Sequence, residues 1–265
     1  MSRERLVVIG ADAGGMTAAS QARRRRGAES LEIIAIDRGR HASYSACGIP
    51  YWIGGLVGSV DALVARTVDE FRKQDIEVRL RQEAVGLDLD AGVVTVHDHE
   101  TGGDHTLSFD QLVLGTGAIP VRPDIAGIDA PGVYGVQTLD DGEAVRAAVA
   151  GDGARRAVVV GGGYIGLEMA EAFVERGLEV TVVEAAPQPM STLDPDVGAL
   201  SRTRSGASAS PCSPTSRSPR SAPGPVARPS AWSPRTGRSP RTSSCSDSAC
   251  GPTPRWPGTP ESRSA

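Results

Sequence analysis

This sequence predicts an α/β fold built from two units of parallel strands, and three observations predict it. Two short apolar runs, Leu6 to Ile9 and Ala157 to Val160, each run straight into a glycine-rich turn. Each turn opens a helix-favouring stretch, and a second apolar run follows it, closed by an acid: Asp37 in one case, Glu184 in the other. The third observation is compositional. Residues 201–265 hold 17 Ser, 12 Pro and 10 Arg but no Leu, Ile, Met, Phe or Tyr, so only the first two hundred residues can bury a core. The net charge of −4 therefore averages an acidic front with a basic tail.

The elements follow in order. Leu6 to Ile9 suits a strand buried on both faces. Gly10-Ala11-Asp12-Ala13-Gly14-Gly15 follows, then a helix through Met16 to Arg25 and a strand over Ile33 to Ile36. Strand, glycine turn, helix, strand and terminal acid describe a dinucleotide-binding unit. Glycines let the backbone approach a pyrophosphate, the helix start offers it free N–H groups, and the acid accepts from a ribose. Asp12 breaks the strict G-x-G-x-x-G spacing, and a carboxylate there repels a pyrophosphate unless its side chain turns away. The second unit keeps the strict pattern, Gly161-Gly162-Gly163-Tyr164-Ile165-Gly166, with a helix over Leu167 to Arg176, Gly177 as its stop, and a strand over Val180 to Val183. Glu184 stands where a carboxylate binds the two ribose hydroxyls of NADH and repels the extra phosphate of NADPH. Two such units imply two dinucleotides, a flavin and a nicotinamide, with electrons passing between them.

Other classes fall away. No apolar run approaches the roughly 20 residues of a membrane span, and Leu6 to Gly10 is too short for a signal-peptide core, so a cytoplasmic location and no membrane partner are expected. Three of the four cysteines (Cys212, Cys245, Cys250) sit in the coreless tail, which leaves Cys47 as a lone thiol in the foldable part. Arg23 to Arg26 reads as a helix end whose charges complement the dipole, with no nucleic acid implied. His97-Asp98-His99-Glu100 precedes Thr101-Gly102-Gly103 and reads as a solvated turn between strands, with no metal.

The segments VVIGADAGGMTAASQARRR, SYSACGIPYWIGG, LVLGTGAIPVRP and VVVGGGYIGLEMAEAFVERGLEVTVVE carry a resemblance. Together they resemble the pyridine nucleotide-disulfide oxidoreductases, and within them the single-cysteine branch of coenzyme A disulfide reductases, NADH oxidases and persulfide reductases. The resemblance covers residues 1–200 and implies a Rossmann-like fold of two dinucleotide domains: FAD-binding over 1–120 and NAD(P)H-binding, incomplete, over 121–200. It implies that Gly10, Gly14 and Gly15 hold the FAD pyrophosphate, with Asp37 and Arg38 at the adenosine end, Val85 at the adenine, and Ser43, Thr116, Gly117 and Ala118 as further flavin contacts. On the nicotinamide side it implies Gly161, Gly163, Tyr164, Ile165, Gly166, Glu168 and Glu184. Thr17, Gln21, Arg24 and Ser43 match residues that touch coenzyme A in the disulfide reductases. Ala46 stands where those reductases commonly carry Asn, a departure that bears on coenzyme A as substrate.

Cys47 is then the redox centre. Ala42 occupies the position of a resolving cysteine, so the sulfur works singly, on a mixed disulfide, a persulfide or, in the oxidase and peroxidase reading, a sulfenic acid. The reacting form is the thiolate, and a helix start after Ser43 is expected to favour it. A small-molecule disulfide or sulfur compound is the expected substrate, FAD and NADH the expected cofactors. Intact relatives are expected to dimerise through a C-terminal domain that this sequence lacks.

The family pattern stops near Leu200. One Lys against 27 Arg, and no Asn, indicate GC-rich coding. Permitted codons for Arg241 to Ala265, started one nucleotide earlier, decode as ADLVLLGLGVRPNTALAGDAGIPVG, and those for Ser201 to Thr215 as VPHAVRGIGVTLLTD. Both are apolar strand patterns absent from the residues themselves. A disordered, out-of-frame tail over 201–265 is expected, and with it the rival reading that the chain is an inactive, truncated remnant.

Overall fold

The computed structural model describes residues 3–150 and 153–197; the expectations for the tail lie outside them. The first strand, β1 (Glu4–Ile9), leads through the glycine turn into α1 (Ala13–Arg25) and then β2 (Leu31–Asp37). A 3-10 turn (Ala46–Gly48) and the short helix α2 (Ile49–Gly54) follow, then α3 (Val68–Arg72) and β3 (Ile76–Leu80). Next come β4 (Gln82–Asp88), β5 (Val93–Asp98), β6 (Asp104–Ser108) and β7 (Gln111–Leu114). The second glycine unit is β8 (Arg156–Val160), α5 (Tyr164–Glu175) and β9 (Glu179–Val183), preceded by α4 (Leu139–Val149).

Strands β3-β2-β1-β7 form one parallel sheet with β1 inside it, Val7 facing Ile34 on one side and Leu112 on the other. Its two faces carry different cores, as alternation along a strand requires. Leu6, Val8, Ile33 and Ala35 pack with Met16 and Ala19 of α1 and Phe71 of α3. Val7, Ile34 and Ile36 pack with Val94, Val96 and Leu107 of the antiparallel sheet β4-β5-β6. Helices, parallel sheet and antiparallel sheet thus make three layers, and the central strands are buried on both faces as their apolar runs predict.

A third core joins α2, α4 and α5 through Ile49, Trp52, Ile53, Leu139, Val145, Met169 and Ala172. The second unit itself pairs only β8 with β9, in parallel. Val159 is buried, yet Val158 and Val160 on the opposite face are 64% and 75% exposed. Both helices of the glycine units begin three residues earlier than expected. Helix α1 begins at Ala13, three residues before Met16, and α5 begins at Tyr164. Among the described residues no helix is long and apolar enough to cross a membrane.

Candidate functional site

The two glycine turns are built alike. Gly10 and Gly161 adopt φ of +104° and +108°, a region open to glycine and strained for other residues. A Cβ on Gly15 would overlap the Gly10 carbonyl oxygen, and one on Gly166 the Gly161 carbonyl oxygen, so helix and turn meet at a distance only glycine permits. The terminal acids complete the pattern. Asp37 accepts from the Ala11 amide (2.7 Å) and the Gly39 amide (2.8 Å). Glu184 accepts from the Gly162 amide (2.6 Å) and the Ala186 amide (2.7 Å), and these amides hold its carboxyl below the usual range. Each acid therefore holds the turn while keeping lone pairs for a further donor.

The turn after β7 joins the first turn. Gly115 donates to the Ile9 carbonyl at 2.7 Å, and a Cβ on Gly10 would overlap the Gly115 carbonyl oxygen. Thr116, Gly117 and Ala118 continue from there as an exposed loop, whose Ala118 carbonyl accepts from the Gln137 side chain. Val85 is exposed on β4 at the register shift between Ala84 and Gly86. Arg38 is exposed, with Glu83 at 3.9 Å.

Cys47 is exposed in the 3-10 turn that leads into α2. The helix start expected after Ser43 is this turn, beginning at Ala46; Ser43 itself sits at φ +49°, and residues 43–45 are tied to neighbouring loops. The Ser43 amide donates to the Ala11 carbonyl (2.9 Å) and the Tyr44 amide to Asp12 Oδ1 (3.2 Å). The Ser45 amide donates to the Leu63 carbonyl and the Ala65 amide to the Ser43 carbonyl, both at 2.8 Å. Burial, with Asp12 and Asp37 nearby, pushes the Tyr44 hydroxyl up to about 12, so it stays protonated near neutrality. Beyond the thiol, α2 packs on α5, and Arg176 Nε donates to the Ile53 carbonyl at 2.6 Å. The segment around Cys47, from Ser43 to the end of α2, thus touches both glycine units.

Thr17, Gln21 and Arg24 lie at four- and three-residue spacing on the exposed side of α1, with Arg24 Nη1 donating to Gln21 Oε1 at 3.2 Å. Arg24 also lines a cavity of about 460 Å³ with Ser20, Arg23, Arg66, Gln74 and Asp75. That Arg66 and Gln74 line this cavity was not legible in the sequence, since nothing in their spacing relates them to α1. Arg23 caps the end of α1, donating to the Arg26 carbonyl (3.2 Å) and the Asp75 carbonyl (2.7 Å). The His97 cluster resolves into the pairs His97–Asp104 and His99–Glu83, and no metal-holding cluster occurs among the described residues. Tyr164 and Ile165 are exposed at the start of α5, with Glu168 one turn on.

The sequence model of the pyridine nucleotide-disulphide oxidoreductases matches residues 4–205. The chain belongs to that family. Among its relatives, an NADH oxidase of Methanocaldococcus jannaschii is 36% identical over 198 residues, which are 74% of this chain and 44% of that protein. A coenzyme A disulfide reductase of Staphylococcus haemolyticus is 32% identical over 194 residues, 73% of this chain and 43% of the relative. Among solved structures, an NAD-dependent persulfide reductase from A. fulgidus superposes with a TM-score of 0.71 at 35% identity, over 76% of this chain and 38% of that one. The chain therefore spans less than half the length of these members of the family.

Proposed function

We propose that this chain is the dinucleotide-binding part of an FAD-dependent, NADH-preferring cytoplasmic oxidoreductase that reduces a small disulfide or persulfide through Cys47. One observation carries the reading: the exposed thiol stands on a segment hydrogen-bonded to the first glycine turn and packed, through α2, on the helix of the second. The residues present fit a flavin nucleotide. Gly10 at φ +104° leaves the turn free of side chains against Gly115, α1 opens beside it, and Thr116 to Ala118 stay exposed. When bound, the flavin supplies a two-electron connection between nicotinamide and sulfur.

The remaining steps belong to the chain's own residues. The Cys47 thiolate attacks one sulfur of a disulfide RSSR, forming Cys47–S–S–R and releasing RS⁻. Two electrons, drawn from NADH as it becomes NAD⁺ and H⁺, then break that bond, releasing the second RS⁻ and restoring the thiolate. Glu184 favours NADH because a 2′-phosphate brought beside its carboxylate is repelled. The arginines around the α1 cavity suit an anionic substrate, and Thr17, Gln21, Arg24 and Ser43 are its proposed contacts.

The test is direct. Purified protein carries flavin absorbance, and NADH-dependent reduction of coenzyme A disulfide disappears in Cys47→Ser; a variant that retains it overturns the reading. The M. jannaschii relative favours a second reading, an NADH oxidase or peroxidase working through a Cys47 sulfenic acid, for which oxygen uptake with NADH and no disulfide is the signature. The bare faces of Val158 and Val160 favour a third, an inactive remnant: the 265-residue chain then binds no flavin, whereas the gene re-read one nucleotide earlier after Leu200 gives a chain that does. Sequencing across that codon decides whether residues 201–265 are out of frame.

A further inference from the structure

The first glycine turn holds a residue that works against anion binding. A carboxylate at a helix start opposes the anion which the helix N-terminus attracts. Burial pushes the Asp12 carboxyl above its ordinary value, against the pull of the Tyr44 and Ala13 amides, and Asp37 adds to the rise. Its counterpart in the second turn is Gly163, whose backbone is nearly the same: φ −109° and ψ −161° at Asp12, φ −77° and ψ −172° at Gly163. Such extended geometry admits most residues. Nothing in the turn itself therefore asks for a carboxylate.

The reason lies in what the side chain reaches. Asp12 makes no side-chain cap for α1. Its Oδ1 instead accepts from the Tyr44 amide, 32 positions along the chain. The neighbouring bond is from the Ser43 amide to the Ala11 carbonyl, so two successive residues of the turn hold two successive amides of the thiol segment. Ser43 is held at φ +49°, which a serine adopts only when its surroundings enforce it. Three residues after Tyr44 comes Cys47.

We propose that Asp12 is a positioning residue for the thiol: its carboxylate fixes the Tyr44 amide, and through it the placement of Cys47 beside the first turn. The geometry stands whatever Cys47 does; only its consequence for turnover rests on the function proposed above. The carboxylate touches neither sulfur nor substrate. It turns away from the anion-binding face because the Tyr44 amide gives it a partner, which also removes the conflict that an acid in this turn poses.

The experiment uses the full chain, wild type and the variants Asp12→Asn, Asp12→Leu and Asp12→Ala. Amide hydrogen exchange is read at Tyr44, with Ile34 and Ile36 of β2 as the control for folding. Alkylation of Cys47 by iodoacetamide is followed by peptide-resolved mass spectrometry, which separates it from Cys212, Cys245 and Cys250. Asparagine keeps an acceptor in the same shape, and leucine keeps the shape alone. Tyr44 exchange is expected to quicken about tenfold or more in Asp12→Leu and Asp12→Ala and to stay within about threefold of wild type in Asp12→Asn. The Cys47 alkylation rate is expected to change with the first two and to be restored by asparagine. Unchanged Tyr44 exchange and alkylation in a folded Asp12→Leu chain overturn the proposal, as does an Asp12→Asn chain as disturbed as Asp12→Ala. Should both acceptor-less variants lose β2 protection, Asp12→Asn decides: native Tyr44 exchange upholds the proposal and tenfold faster exchange overturns it. Failure to bind flavin or to reduce a disulfide alters neither readout, so the two proposals fail separately.

Discussion

The β1-α1-β2 unit and the β8-α5-β9 unit share a clamp of two amides on a terminal acid, the same positive φ at the leading glycine, and the same close helix approach. They differ in what surrounds the clamp. Around β1 stand β2 and β7, with one core on each face of the sheet. Around β8, among the described residues, stands β9 alone, with α5 over one face and Val158 and Val160 bare on the other. Each clamp therefore closes within one contiguous β-α-β unit, over 26 positions in the first and 22 in the second, whereas burial depends on strands contributed from elsewhere in the chain.

That contrast sets the largest expected effect. Ile33→Ala, at a fully buried position of β2, is expected to cost about 2–5 kcal/mol in urea unfolding, while Val158→Ala costs under about 0.5. An equal loss at both sites would mean that β8 is covered in solution. The glycines sharpen the comparison. Gly10→Ala meets both the strained φ and the Gly115 carbonyl, whereas Gly161→Ala meets the strained φ with open space around it. Gly10→Ala is expected to cost about 3 kcal/mol or more and Gly161→Ala about 1–2, by the same measurement. Hydrogen exchange extends the test without mutation: amides of β1 are expected to exchange orders of magnitude more slowly than those on the open edge of β8.

The smallest effect concerns the clamp itself. Glu184 has a depressed pKa, chiefly through the Ala186 and Gly162 amides. A carboxyl depressed on folding contributes stability above its unfolded value of about 4.3 and loses it as pH falls through the folded value. Glu184→Gln is expected to cost under about 1 kcal/mol at pH 7, reduced by solvent screening, and the gap to wild type to close on acidification. Asp12 moves the other way. Its pKa is raised on folding, so protonation as pH falls through that raised value favours the fold, and Asp12→Asn is expected to gain most at neutral pH.

Much of the fold was legible beforehand, for reasons visible in particular residues. Gly177, at φ +79°, stops α5 as predicted. Apolar runs flanked by glycine and acid carry that information within a few positions. The antiparallel sheet β4-β5-β6 was not foreseen as a layer, because its alternating, half-exposed residues acquire meaning only against Val7, Ile34 and Ile36. Among the candidate site residues, Gly10, Asp37, Gly161 and Glu184 declare themselves by spacing. Arg66 and Gln74 do not, since the cavity they share with α1 exists only once the loop and helix meet. Asp12 was visible as a departure from the glycine pattern, though its partner was not.

Sequence by itself determined that two glycine turns exist, that a helix follows each, which acids close them, and that one thiol stands in the foldable part. These are short-range matters, fixed by backbone freedom at glycine and by apolar periodicity. Tertiary structure alone decided that the Tyr44 amide meets Asp12, that Arg176 holds the Ile53 carbonyl, and that the segment carrying Cys47 reaches the first turn on one side and, through α2, helix α5 on the other. Such pairings join residues up to 123 positions apart, and only packing of separate elements on shared cores brings their donors and acceptors within hydrogen-bonding range.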